Sequence, residues 1–236
     1  MLAPAERFLS LKLLIIALLP FAASPAVAQQ EDEQVWLQLN TNVPLARDLR
    51  LTLEQIARTS DRQGGFYTTE LGALLGYEIA DGVELGFGYR RVDAHNGNPA
   101  AGENRLRQQV VVSSGAIAAR LRVDERFSEA GSGIGFRVRP LLRYNHRLNP
   151  SGVALFVSHE SFFLPNSTRW GQRSGYERMR NIVGTTLPIG RNLSADIGYL
   201  NQYRLPRGGA RAQMDHALTV QLTINLASGP ANATHD

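Results

Sequence analysis

The sequence predicts an all-β fold: a single transmembrane antiparallel up-and-down β-barrel of about 12 strands, with about 10 as the alternative. Three observations carry that expectation. Apolar and polar residues alternate with the period of two that a pleated strand imposes, in segments near the length a tilted strand needs to cross a bilayer. The connections alternate between tight turns and longer polar loops, as in barrels with short turns at one end and long loops at the other. Aromatic residues fall on the apolar face, often near segment ends, where interfacial girdles would lie: Tyr77, Tyr89, Phe127, Phe136, Phe163, Tyr199 and Tyr203.

Residues 1–28 read as a secretory signal peptide. Arg7 and Lys12 supply the positive start, Leu13 to Ala23 is apolar, and Ala26-Val27-Ala28 is a small-x-small cleavage site. Pro20 interrupts the apolar run, which is shorter than the roughly 20 residues of a spanning helix. The barrel then occupies 29–226, followed by a polar tail, 227–236. The chain has 236 residues and no cysteine, which excludes disulfides and thiolate metal sites.

Val35 to Val43 alternates, Pro44 to Asp48 turns it, and Leu49, Leu51 and Leu53 return. Thr69 to Arg91 is a complete hairpin: Leu71, Ala73, Leu75, Tyr77 and Ile79 face one way, Asp81-Gly82 tolerates the positive φ of a tight turn, and Val83, Leu85, Phe87 and Tyr89 return. A loop at 93–102 leads to a second hairpin, Glu103 to Ser113 and Ala118 to Phe127. Phe136 to Leu148 and Val153 to Phe163 flank Asn149-Pro150-Ser151-Gly152, and a long loop precedes segments at Arg178 to Leu187, Leu193 to Arg204 and Asp215 to Leu226. These make eleven segments. Single-chain bacterial barrels usually have an even number, which sets the expectation of twelve.

Turning the apolar parity outward places Glu54, Glu70, Arg105, Arg107, Arg120, Arg122, Asp124, Arg126, Arg137, Arg139, Arg143, Glu160, Asp196 and Gln202 inside. Gly72, Gly76, Gly86, Gly88, Gly184 and Gly198 share that face and suit a crowded lumen. The leading expectation is a lumen filled by arginine–carboxylate pairs, because buried charges need partners. A narrow path favouring anionic solutes is the other use of the same residues. Formal net charge is +4, and every cation after Lys12 is arginine. Arginines scattered on alternating strand positions make no nucleic-acid stripe.

One constellation suggests chemistry. In a strand His159 and Ser161 lie side by side on the outward face, as a base and a serine nucleophile must. The arrangement is similar to the His-x-Ser of outer-membrane phospholipase and lipid A deacylase barrels, which act on acyl chains from the outer surface. It departs from them at Phe162, where they usually carry Asn. No acidic orienter is identifiable on a neighbouring strand, and Glu160 points inward. A lipid hydrolase is therefore the alternative to a structural or transport barrel, with a secreted β-sandwich binding protein as a third class. His95, His146, His216 and His235 have no ligand spacing, so no metal site and no cofactor are expected. Glu125 falls on the outward parity and suggests a β-bulge or a contact with headgroups.

Val35-Trp36, the run Glu103 to Gln109, Leu121 to Phe127, His159 to Phe163 and Gly198 to Gln202 resemble, in this order, a bacterial family catalogued as domain of unknown function 2490. That resemblance implies a Gram-negative outer-membrane β-barrel, with outer-membrane lipids, lipopolysaccharide and the barrel assembly machinery as partners. It implies no established activity or ligand. The chain departs from many outer-membrane proteins in ending its last segment at Leu226 and a polar tail, with no terminal aromatic.

Overall fold

The computed structural model describes residues 29–226; the expected leader and polar tail lie outside the described residues. Eleven strands follow one another: β1 (Gln30–Ala46), β2 (Leu49–Ser60), β3 (Gly65–Ala80), β4 (Val83–Ala94), β5 (Glu103–Ser114), β6 (Ile117–Ser128), β7 (Ile134–Arg147), β8 (Ala154–Leu164), β9 (Gly175–Pro188), β10 (Leu193–Arg204) and β11 (Gln213–Asn225). Each pairs antiparallel with the next, and β1 pairs with β11 to close the barrel. Closure leaves no open edge, the condition for a one-sheet wall to persist without a second sheet.

The strand number is eleven, one fewer than the expected twelve, and the up-and-down antiparallel pattern has one exception. With an odd number the first and last strands run the same way, so β1 and β11 meet in parallel over thirteen register pairs, from Gln30↔Gln213 to Asn42↔Asn225. The parity argument for an even count assumes antiparallel closure, and a parallel ladder removes that requirement. β1 is a full member of the wall. It extends five residues before Val35, through a polar run that the hydrophobic pattern does not mark.

Alternation sorts the wall as expected. Every strand presents at least one large apolar side chain outward, among them Leu37, Leu53, Leu71, Phe87, Val112, Leu121, Leu142, Val157, Val183, Tyr199 and Leu218. The inward face holds most of the buried charge, from Glu54, Glu70 and Arg90 to Arg139 and Glu160. Small residues make the room. A Cβ on Gly72 would lie 2.9 Å from the Tyr89 carbonyl oxygen and 3.1 Å from Glu54 Oε2, where the carboxylate meets its arginines. Glu125 stays outward with no bulge: the register runs unbroken through Leu106↔Glu125 and Glu125↔Phe136, and Gln108 Nε2 donates to its carboxylate at 3.1 Å.

The connections give the barrel two distinct ends. At one lie the tight turns after β1, β3 and β5, the two longer turns after β7 and β9, and the end of β11. At the other lie the start of β1 and the connections 61–64, 95–102, 129–133, 165–174 and 205–212.

The parallel seam is open to direct test because the chain has no native cysteine. Leu37 and Val220 are register partners on the outward face. The L37C/V220C double variant, oxidised in the refolded barrel, should form an intramolecular crosslink visible as a mobility shift on a non-reducing gel. L37C paired with Leu75→Cys, which sits two strands away, should not.

Candidate functional site

The lumen is braced by ion pairs that cross between strands. Arg90 on β4 donates to Glu54 at 2.9 Å and Glu70 at 2.7 Å, and Arg58 meets Glu70 at 2.7 Å. Arg107 on β5 reaches across to Glu54 on β2. On the far wall Glu160 gathers Arg120 at 2.6 Å, Arg139 at 2.9 Å and Arg180 at 3.3 Å, while Arg139 also meets Asp124 at 3.3 Å. Glu103 holds Arg126 at 2.5 Å and Arg105, and Arg143 meets Asp196 at 2.7 Å. Gln202 donates to Asp215 at 2.5 Å and accepts from Arg180 at 2.8 Å. Guanidinium planes also stack on buried rings, Arg143 at 3.8 Å from the centroid of Phe156 and Arg58 at 4.0 Å from that of Trp36. Eight of the nine residues singled out for the lumen, Glu54, Glu70, Arg105, Arg107, Arg126, Arg143, Glu160 and Gln202, make these contacts; the ninth, Arg122, is buried but bonds only Gln109 among the described residues.

The outer wall carries a different assembly. His159 faces outward on β8, with Asn181 of β9 as its register partner. Asn181 Oδ1 lies 2.7 Å from His159 Nδ1, and His159 Nε2 lies 2.9 Å from Ser161 Oγ. An amide oxygen can only accept, so Nδ1 carries the proton and Nε2 is left free to accept from the serine hydroxyl. Nucleophile, base and orienter are thus linked in series. The orienter is a neutral amide, where the sequence offers no acidic candidate.

Tyr176 joins the same cluster through a break in alternation. Arg178 and Arg180 point inward, so an unbroken strand would turn Tyr176 inward as well. The register shifts at this point: Phe162 pairs with Arg178 but Phe163 with Tyr176, leaving Glu177 as the extra residue. The bulge turns Tyr176 outward, where its hydroxyl lies 3.1 Å from Ser161 Oγ and its ring is 4.9 Å from that of Phe163. On the other flank the β7–β8 ladder is interrupted. Its register stops at Val138↔Phe163 and resumes at Leu141↔Glu160, which sets Pro140 opposite Ser161. Proline has no N–H to give the ladder, so the wall is tied less tightly beside the serine.

Toward the turn end from His159 and Asn181 runs an outward groove of about 410 Å³. Val157 and Val183 form its floor, Leu142, Tyr144 and Tyr199 its sides, and Asn201 closes the polar end. Asn181 and Tyr176 are the residues the sequence does not single out. Their approach to His159 and Ser161 depends on the length of the 165–174 loop and on one bulge, which alternation cannot supply.

A protein-family model, described as a protein of unknown function, DUF2490, matches residues 33–213. The chain belongs to the DUF2490 family. An uncharacterised protein of Methylorubrum extorquens (strain AM1) is 28% identical over 226 residues, covering 92% of this chain and 98% of the relative. A chain solved in work on "Unveiling the Mechanism Behind the in-meso Crystallization of Membrane Proteins" superposes with a TM-score of 0.41 at 12% identity, over 76% of this chain and 86% of that one. At that level the likeness bears on no feature of the site. The family description assigns the DUF2490 barrel no chemistry, so its site rests on its own geometry.

Glu160 is the hub of the far wall, 3% exposed with three arginines around it. Glu160→Ala in the DUF2490 barrel strands those cations, and removing one partner of a buried ion pair costs about 3–5 kcal/mol. The urea midpoint of the refolded barrel should fall accordingly, while Arg47→Ala, on an exposed turn, should leave it unchanged.

Proposed function

We propose that this chain is an outer-membrane β-barrel whose outer wall hydrolyses acyl esters of membrane lipids, with Ser161 as nucleophile, His159 as base and Asn181 as orienter. The observation that carries the reading is the series of short hydrogen bonds, Asn181 to His159 to Ser161, on a surface bordered by an apolar groove. A membrane setting is supported by the apolar side chains exposed on every strand, a band that water would not tolerate on a monomer. The closed wall and the unequal lengths of the two sets of connections support an outer membrane, with the longer connections outside.

The site is oriented as a lipid would require. β8 runs from the turn end to the loop end, so Ser161 lies above His159 and the groove lies below. An ester carbonyl at the level of Ser161 sends its acyl chain down the groove past Val157 and Val183, toward the centre of the bilayer. Its polar end is left near the loops and the headgroups.

In the reaction Ser161 Oγ attacks the carbonyl carbon and its proton passes to His159 Nε2. Asn181 holds the resulting imidazolium by accepting from Nδ1–H. As the tetrahedral intermediate collapses, the bond from carbon to the leaving oxygen breaks, and His159 returns the proton to that oxygen. Water then attacks the acyl-serine with His159 again as base, which releases the fatty acid and restores Ser161. The Tyr176 hydroxyl is within reach of the oxyanion formed beside Ser161.

Refolded barrel in detergent micelles should hydrolyse a p-nitrophenyl acyl ester and a long-chain phospholipid, and a fluorophosphonate should label Ser161. Ser161→Ala and His159→Ala should abolish turnover with the barrel intact. Asn181→Ala should lower it by a factor on the order of 10², the cost of a misplaced catalytic group. Tyr176→Phe should reduce kcat more than KM. Full turnover in the Ser161→Ala variant, or a fluorophosphonate that leaves Ser161 unmodified, rules the reading out.

A further inference from the structure

The inside of the barrel has a problem that the ion pairs do not solve. A cavity of about 620 Å³ is lined by twelve arginines and five carboxylates. Just behind the lining, Arg107 adds a cation, and Asp32, Asp124, Glu177 and Asp215 add four anions. The described residues around the cavity therefore hold four more positive charges than negative ones. Confining that surplus within a closed wall is costly unless something else balances it.

One cation of that surplus, on β6, has no carboxylate to meet. Arg122 is 5% exposed, and its only hydrogen-bond partner among the described residues is Gln109, which accepts from Nε at 2.9 Å and Nη2 at 2.6 Å. No carboxylate among the described residues lies within ion-pair distance of it. Its cross-strand partner is another arginine, Arg139, whose donors go to Glu160 and Asp124. Like charges placed directly opposite repel. Arg90, Arg120 and Arg180 line the same cavity as Arg122, and the Nε of each is buried with no partner among the described residues.

We propose that this cavity is a binding site for a small multivalent oxyanion of the phosphate or sulfate class, seated on Arg122 with Arg120 and Arg180 beside it. Guanidinium forks match the oxygens of such an anion, and one doubly charged ion removes half of the surplus. The closed wall keeps lipid chains out. Asn98, Ala100 and Ala101 of the β4–β5 loop form part of the lining, so the cavity reaches the loop end, from which a free anion enters. The proposal rests on the lumen alone and is independent of the chemistry assigned to the outer wall.

The test is calorimetric titration of inorganic phosphate, and separately sulfate, into barrel refolded in a chloride buffer, with thermal melting at matched ionic strength. Saturable binding and a rise in melting temperature are expected with either oxyanion. Arg122→Gln should weaken binding by about tenfold or more, the loss of a charge-assisted hydrogen bond. Because it removes an uncompensated buried charge, R122Q should also melt no lower than the parent in chloride alone. A merely structural arginine would give the opposite sign. Arg180→Gln gives a second reading of binding should R122Q not refold, and Arg47→Gln, on an exposed turn, should bind as the parent does. The proposal is overturned by the absence of saturable binding to the parent barrel, or by unchanged phosphate binding in R122Q and R180Q. Planar-bilayer recordings that show steady anion current unaffected by phosphate would also overturn it, since they describe an open conduit with no resident site.

Discussion

In a wall one strand thick, backbone N–H and C=O groups have to find their partners in the strand alongside, and this chain closes its wall to meet that need with an odd number of strands. The price is a single parallel ladder between β1 and β11, thirteen residues long. Everything else follows from the closed wall. With no second sheet to pack against, side chains divide by parity, except where a bulge intervenes, into those that face the lumen and those that face outward. The barrel thus has two separate chemical environments, and each strand contributes to both.

Inside, the consequence is electrostatic. The strands deliver arginines to the lumen faster than carboxylates, and carboxylates such as Glu54 and Glu160 are shared among several guanidinium groups. Sharing ties strands that are not neighbours, as when Arg107 of β5 meets Glu54 of β2 and Arg143 of β7 meets Asp196 of β10. Aromatic rings take up part of the remaining cationic surface, Phe162 with Arg139 at 4.7 Å and Arg180 at 5.0 Å. The same sharing leaves Arg122 without a carboxylate. A network that stiffens the wall and a cavity that favours anions are two sides of one imbalance.

Outside, the consequence is positional. A polar trio on an otherwise apolar wall has neighbours only along the strand and across the ladder. Ser161 is therefore served by His159 two residues back, by Asn181 through the ladder, and by Tyr176 through a bulge. The interrupted ladder at Pro140 lies on the other side of the same serine. Two irregularities in a regular wall meet at one side chain, and the groove below it is the product of two valines standing between two tyrosines.

Period-two alternation was enough to determine the all-β class, ten of the eleven strands to within a few residues and the outward aromatics, because parity is a local property of a pleated chain; the inward list it supplied lacks Arg58, Arg178 and Arg180, which also line the lumen. Alternation also placed His159 and Ser161 on one face. Pairing is not local. Which carboxylate each arginine meets, how an odd sheet closes, and that Asn181 stands beside His159 all depend on register, which loop lengths set. Tyr176 is the plainest case: alternation assigns it to the lumen, and one extra residue at Glu177 moves it to the outer wall. The surplus charge around Arg122 likewise exists only once six or more strands are brought around a common axis, where Coulomb energies depend on distances in space that the sequence does not contain.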